Sequence, residues 1–393
     1  MRETSNRPIT VLRVIDRLNV GGPAIHAVLA TRGLDPARFR TVLVCGSVEP
    51  DEADMGYLLD EYGVSCISIP SLGRELRPIR DLATAWQLYQ VVRRVRPDIV
   101  HTHKAKAGAV GRVVAVLAGV PIRVHTFHGH FFQGYFSRIR TRIFLGIEQL
   151  LARVTTRFVA LSPRLVDELS HTYRVAAADR FTVVKLGFDL SRFARCADQR
   201  GALRKELGLP VGVAVVGIVG RMVPVKDHAT FIAACAILAK HRADVYFVFV
   251  GGGELEAAVR DDVETRGLAA RTHLLGWRRD LERIYADLDV LVISSINEGT
   301  PVTLIEAMAS GVPVAATSVG GVADLLHRGA RGELCPARDP EALAAAIERS
   351  LTPAARQRAL AVQSEVLEEF GEQRLCRDLE RLYEQLLSDR APR

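Results

Sequence analysis

Short apolar runs rich in Val, Ile and Leu recur along the chain, each followed by a longer amphipathic stretch. In the first half they fall at residues 9–15, 41–45, 65–69, 99–101, 122–126, 158–161 and 182–184. In the second half they fall at 213–219, 245–250, 272–275, 290–293 and 314–316. These runs are apolar throughout rather than alternating, which predicts parallel strands covered by helices on both faces. Stretches such as 80–96 and 229–241 carry helical spacing. The series restarts near residue 211, after the polar segment 191–209. The pattern therefore predicts an α/β chain of two doubly wound, Rossmann-like domains with a boundary near 190–210. Residues 354–387 read as one or two packing helices broken near Gly371, with Leu375, Leu379, Leu382, Tyr383 and Leu386 at helical spacing.

Length agrees with two domains, since 393 residues exceed what one core of about 250–300 residues holds. Charge changes the picture more. Residues 1–195 carry 28 Lys+Arg and 17 Asp+Glu, a balance of +11; the remaining 24 and 28 leave −4 in residues 196–393. A basic half suggests an anionic partner. No recognition helix, RRM or zinc-finger pattern appears, so nucleic acid gives way to an anionic membrane surface or phosphate-bearing small molecules. The six cysteines are scattered without a CxxC pair, which suits a reducing cytoplasm rather than a zinc module or a disulfide scaffold. The first residues show no signal-peptide apolar core, and no run approaches the roughly 18 residues of a membrane span, so the expectation is cytoplasmic.

Ligands of doubly wound sheets bind at the carboxyl ends of the strands, beside helix N-termini. Four loops matter on that ground. Gly21 and Gly22 follow the first strand, with Pro23 suited to a helix start. The G-x-G-x-x-G spacing and a following acidic residue are missing, which argues against NAD. His101, His103, His125, His128 and His130 cluster at two strand ends. Their spacing does not secure a zinc site, and a structural or supporting role covers most of them. His128, past a strand end and before a glycine, is best placed to face a ligand. Arg221 and Lys226 follow the strand at 213–219; they either hold a pyrophosphate or are solvated charges. The fourth loop runs from Ser294 to Val314 as strand, glycine turn, helix and strand. Pro301 or Val302 begins its helix, leaving backbone N–H groups to face a phosphate. Glu298 and Glu306 flank that start and suit two sugar rings bracketing a diphosphate; a loop charge and a helix-dipole residue are the alternatives.

Glu298 and Glu306 within EGTPVTLIEAMASGVPV, the GRMVPVKD segment, VGGGEL at 250–255, LGW at 275–277 and the early GGP loop occur together. This set resembles the retaining glycosyltransferases of the GT-B fold, family 4 (group 1) type, over nearly the whole chain. The resemblance implies two Rossmann-like domains facing across a cleft: an acceptor-binding domain at 1–195, a nucleotide-sugar-binding domain at 196–365, and a C-terminal helix at 366–393 crossing back onto the first. Arg221 and Lys226 would neutralise the diphosphate and the leaving-group charge. Glu306 would bind the nucleotide ribose, and Glu298 the donor-sugar hydroxyls. Gly299, Thr300, Val302 and Thr303 would offer backbone N–H groups, Pro301 would line the same segment without one, and Gly276 would contact the base. Gly21 and Gly22 would approach the phosphates, and His128 would lie near the reaction centre. Two departures stand out. Thr300-Pro301 replaces the common aromatic-glycine after E-G, and Leu186-Gly187 replaces asparagine-glycine before the linker. Asp287-x-Asp289 resembles the metal-binding D-x-D of the other transferase fold but precedes a strand, so it reads as structural. No metal or cofactor is implied.

The implied activity is transfer of a sugar, from UDP by preference, to a lipid-linked or saccharide acceptor in bacterial exopolysaccharide or cell-surface glycan synthesis. Aromatics interleaved with arginines at 131–144 fit an interfacial membrane patch at the inner face, a lipid-pyrophosphate acceptor, or a helix with a buried aromatic side. The rivals are a GDP-mannose-dependent transferase, a sugar-nucleotide epimerase of the same fold, a non-catalytic binding protein and a dehydrogenase.

Overall fold

The computed structural model describes residues 7–48, 54–73, 78–129 and 138–390. The chain divides into two compact units, Met1–Phe188 with Phe370–Arg393, and Asp189–Glu369. Each is built on one parallel sheet.

The first sheet has seven strands in the order β3-β2-β1-β4-β5-β6-β7. They are β1 (Ile9–Arg17), β2 (Phe39–Gly46), β3 (Cys66–Ser68), β4 (Ile99–His103), β5 (Ile122–Phe127), β6 (Arg157–Ala160) and β7 (Phe181–Val183). Alternate residues of β1 serve the two faces. Val11 packs with Ile99, Ile122 and Val124 on one side. Leu12 and Val14 pack with Val44 and Val100 on the other. The first face is covered by α1 (Gly22–Arg32) and by the C-terminal helix Glu372–Ser388, which buries Leu375, Leu379, Leu382, Tyr383 and Leu386 as a single stripe. The second face carries α2 (Pro78–Val95) and α3 (Ala105–Leu117), with α4 (Arg138–Ala152) beside α3. Residues 131–137 of the aromatic-arginine segment lie outside the described residues; 138–144 open α4.

The second sheet has six strands in the order β10-β9-β8-β11-β12-β13. They are β8 (Ala214–Val219), β9 (Val245–Val250), β10 (Thr272–Leu274), β11 (Val290–Ile293), β12 (Val314–Thr317) and β13 (Glu333–Cys335). The sequence pattern passes over β13, whose three residues begin with a glutamate and form only an edge. Helices α5 (His228–His241), α6 (Leu281–Asp287) and α7 (Val302–Ala309) flank this sheet. The helix Pro353–Phe370 ends at Gly371, whose extended backbone (ψ 147°) separates it from the C-terminal helix.

All eleven strand pairings among the described residues are parallel. Every strand of a sheet therefore ends on the same edge, which gathers the loops of each unit into one place.

Candidate active site

In the second unit, the loops after β8, β11 and β12 are tied together. The amide of Ile296 donates to the Val225 carbonyl at 2.9 Å, and Ser294 Oγ donates to the Lys226 carbonyl at 2.8 Å. Thr317 Oγ1 donates to the Ser295 carbonyl at 2.6 Å. The Gly321 amide donates to the Glu298 carbonyl at 3.1 Å. Gly320 (φ 51°) lies so close to that carbonyl that a Cβ would collide with it. These bonds fix two charged groups. Lys226 Nζ donates to Glu298 Oε1 at 2.5 Å, and Ser295 Oγ donates to the same oxygen at 2.7 Å. Asp227 (φ 48°) caps α5, accepting from the Thr230 hydroxyl at 2.7 Å, which turns the chain just after Lys226. Arg221 is exposed, and its side chain makes no hydrogen bond or ion pair among the described residues.

Helix α7 begins at Val302. Its cap, Pro301, supplies no side-chain acceptor, so the first N–H groups stay open. The Thr303 hydroxyl is buried without a partner among the described residues. Glu306 is buried one turn in, and its Oε2 accepts from the Tyr285 hydroxyl on α6 at 2.9 Å. Burial pushes the Glu306 carboxyl up to about 7; the Tyr285 bond and the positive charge of Arg192 oppose that rise. The two glutamates therefore differ: Glu298 is ion-paired, whereas Glu306 meets a hydroxyl in an apolar setting. Gly276 (φ 64°) follows β10 and accepts from the Gly251 amide at 2.7 Å, with half-exposed Trp277 beside it.

Asp287 and Asp289 are consumed locally. Asp287 accepts from the Gly201, Leu203 and Arg204 amides at 2.6, 2.8 and 3.1 Å. Asp289 accepts from Arg204 Nη2 at 2.6 Å and the Val215 amide at 2.8 Å.

In the first unit, Gly21 (φ 149°) caps α1 without a side-chain acceptor, and Gly22 is the first residue of that helix. Lys104, at the end of β4, donates to Asn19 Oδ1 at 2.6 Å and lies 3.1 Å from Asp16. Below them is a polar core. Arg13 on β1 is fully buried and no carboxylate among the described residues pairs with it. It donates from Nε to Thr31 Oγ1 at 3.2 Å and from Nη2 to the Ala30 carbonyl at 3.0 Å. Its Nη1 lies 3.2 Å from His101 Nδ1 and 3.3 Å from His103 Nε2.

A guanidinium only donates, so both of those ring nitrogens accept. His101 then carries its proton on Nε2 and donates to Thr126 Oγ1 at 2.7 Å. Tyr383 donates to His101 Nδ1 at 2.6 Å. His103 carries its proton on Nδ1 and donates to His128 Nε2 at 3.0 Å. His128 is thereby left with its proton on Nδ1, which is shielded from solvent and has no partner among the described residues. Burial first, and then the Lys104 and Arg13 charges, push His128 down to about 3. Burial holds His26, His101, His103 and His125 well below the usual imidazole range, with neighbouring positive charges adding to it. His128 is thus a neutral donor rather than a free base. His125 is bonded to Thr102 at 2.9 Å, away from this chain, and His130 lies outside the described residues.

The structure joins Lys226 to Glu298 and seats Glu306 on Tyr285, while Arg221 remains unheld. Sequence reasoning missed Tyr285, Ser295 and Gly320, whose roles are purely spatial. It also missed Arg13, although an arginine inside an apolar strand is a visible signal.

Comparison with known proteins agrees with this architecture. Residues 20–192 match the model described as Glycosyltransferase Family 4, and residues 213–352 that described as Glycosyl transferases group 1. The chain is similar to the UDP-Gal:alpha-D-GlcNAc-diphosphoundecaprenol alpha-1,3-galactosyltransferase of Escherichia coli, at 33% identity over 66% of this chain and 67% of the relative. It is similar to the 2-deoxystreptamine N-acetyl-D-glucosaminyltransferase of Streptomyces fradiae, at 30% identity over 79% and 78%. Among solved structures, Anabaena HepE in complex with UDP superposes with a TM-score of 0.81 at 19% identity, over 96% of this chain and all of that one. That likeness shows the fold, GT-B.

Proposed function

The chain belongs to the group 1, family 4 glycosyltransferases, and from that premise we propose that it moves a sugar from a UDP-sugar to a lipid-linked or saccharide acceptor with retention of configuration. The role is in bacterial exopolysaccharide or cell-surface glycan synthesis, at the inner face of the membrane. The name of the Escherichia coli relative supports both substrates, since it specifies a UDP-Gal donor and a diphosphoundecaprenol-linked acceptor. No helix among the described residues is long and apolar enough to cross a membrane, so attachment in this reading is peripheral.

One observation carries the chemistry: Lys226 and Glu298 are held together where three strand-end loops meet, beside the open start of α7. Cleavage of the donor builds negative charge on the β-phosphate. Lys226, Arg221 and the α7 N–H groups of Val302 and Thr303, with those of Gly299 and Thr300, receive that charge, and fixed donors of this kind stabilise the transition state strongly. Glu298 holds the sugar hydroxyls and orients Lys226. Glu306 accepts from the ribose diol through the oxygen that Tyr285 leaves open, and Gly276 meets the base. The family resemblance assigns Gly21, Gly22 and His128 of the first unit to donor binding as well. The acceptor oxygen bonds to the anomeric carbon on the face from which the phosphate oxygen departs, and that phosphate takes the acceptor proton.

Thermal unfolding against UDP-, GDP- and ADP-sugars tests the donor. A ligand at about a hundred times its dissociation constant adds roughly 2.7 kcal/mol. UDP-sugar is expected to stabilise most. A preference for GDP-sugar favours the mannose-type reading, and isomerisation of UDP-sugar without an acceptor favours an epimerase. Inversion at the product anomer, read by NMR, excludes the retaining route.

A further inference from the structure

Ten of the fifteen exposed large hydrophobic side chains among the described residues lie on α2, α3 and α4, the helix layer on one face of the first sheet. On α4, Ile139, Ile143, Ile147 and Leu150 share one stripe, while Glu148, Leu151 and Ala152 are buried on the opposite side. On α2, Ile79, Leu82 and Trp86 form the outer stripe, and Thr84, Leu88 and Val92 face the core. On α3, Leu117 is 71% exposed beside two exposed valines. Each helix is therefore apolar on two sides, where a soluble surface helix needs only one. A scattered exposed leucine calls for no explanation, but three neighbouring stripes do.

The charge around them has one sign. Arg80, Arg93, Arg94, Arg140 and Arg142 are exposed, and none forms an ion pair among the described residues. The three helices contain only two acidic residues. Asp81 is paired with Lys106 at 2.7 Å, and Glu148 with Arg112 at 2.7 Å. An apolar surface fringed by unpaired arginines matches an anionic bilayer, with hydrocarbon below and lipid phosphates above. A two-fold pairing of this face with a second copy would set arginines against arginines.

We infer that the outer face of α2, α3 and α4 is the surface on which the protein lies against an anionic lipid bilayer. The indole of Trp86, stacked on Tyr89 at 5.9 Å between ring centroids, suits the headgroup level. The inference rests on the peripheral attachment proposed above and gives it a location.

Flotation of the full chain with vesicles, without donor sugar, tests it. Vesicles holding about 30% phosphatidylglycerol are expected to carry the protein at low salt, and pure phosphatidylcholine is not. Ile143→Glu with Ile147→Glu alters only exposed positions, so circular dichroism is expected to be unchanged while binding falls about tenfold or more. Val211→Glu, an exposed site in the other unit, serves as the control and floats like the parent. If the parent does not float, attachment fails along with this face. If the double variant floats undiminished, attachment stands but this face does not make it. If instead the double variant converts a dimer to a monomer in light scattering and vesicles never bind, the face is a self-interface and the inference is overturned.

Discussion

The strand ends of the two units handle charge in opposite ways. In the second unit, opposite charges face each other at the surface of the loops: Lys226 meets Glu298, both partly open to solvent. In the first unit, Arg13 is sealed beneath the loops with no carboxylate among the described residues, and neutral imidazoles and hydroxyls satisfy it. A pair that keeps some contact with solvent can be reorganised by a ligand. A buried cation among neutral acceptors is rigid, and its field adds to the burial that keeps His26, His101, His103 and His128 unprotonated. The first arrangement suits a group that must meet a changing phosphate. The second suits a scaffold that dictates which nitrogen of His128 holds the proton.

The largest test of this contrast is Lys226→Ala. Removing one donor aimed at developing charge costs about 2.7–4 kcal/mol, so kcat for transfer is expected to fall by two to three orders of magnitude with the unfolding midpoint nearly unchanged. Turnover at the parent rate would remove Lys226 from the chemistry.

Glu306 comes next. Its native carboxyl titrates at about 7, above the ordinary carboxylate range. The folded state keeps a proton that the unfolded chain releases, so this contribution is complete below about pH 4.5. It disappears as pH rises through about 7. Between those limits the ligand-free parent is expected to lose roughly 3 kcal/mol relative to Glu306→Gln, measured by urea unfolding at several pH values. Parallel pH curves for the two proteins would show that the carboxyl ionises normally.

The smallest effect falls in the first unit. His103→Leu leaves one Arg13 donor short of a partner and is expected to cost about 1–3 kcal/mol. The sharper readout is nitrogen NMR of His128. The parent is expected to show protonated Nδ1, and the variant to admit the Nε2-protonated form. An unchanged tautomer would break the relay from Arg13.

Much of the candidate site was legible because its residue types are local. Arg221 and Lys226 stand five apart after a strand, and Glu298 and Glu306 flank a helix start, so periodicity and chemistry suffice to single them out. The polar core was less legible. His101 and His103 were visible as a cluster, but their hydrogen-bond partners come from β1, β5 and a helix some 280 residues away, as the Tyr383 bond to His101 shows. Tyr285 was silent for the same reason: nothing near it in the chain reveals that its hydroxyl ends on Glu306.

By itself the amino-acid order determined the alternation of strand and helix, the two parallel sheets and the chemistry-bearing loops at their carboxyl edges. Each of those follows from periodicity and local turn geometry. Only the folded chain decided which carboxylate is ion-paired, which is held nearly neutral, and which imidazole nitrogen is protonated. Those properties depend on burial and on partners distant in sequence, because desolvation and hydrogen bonding act through space rather than along the backbone.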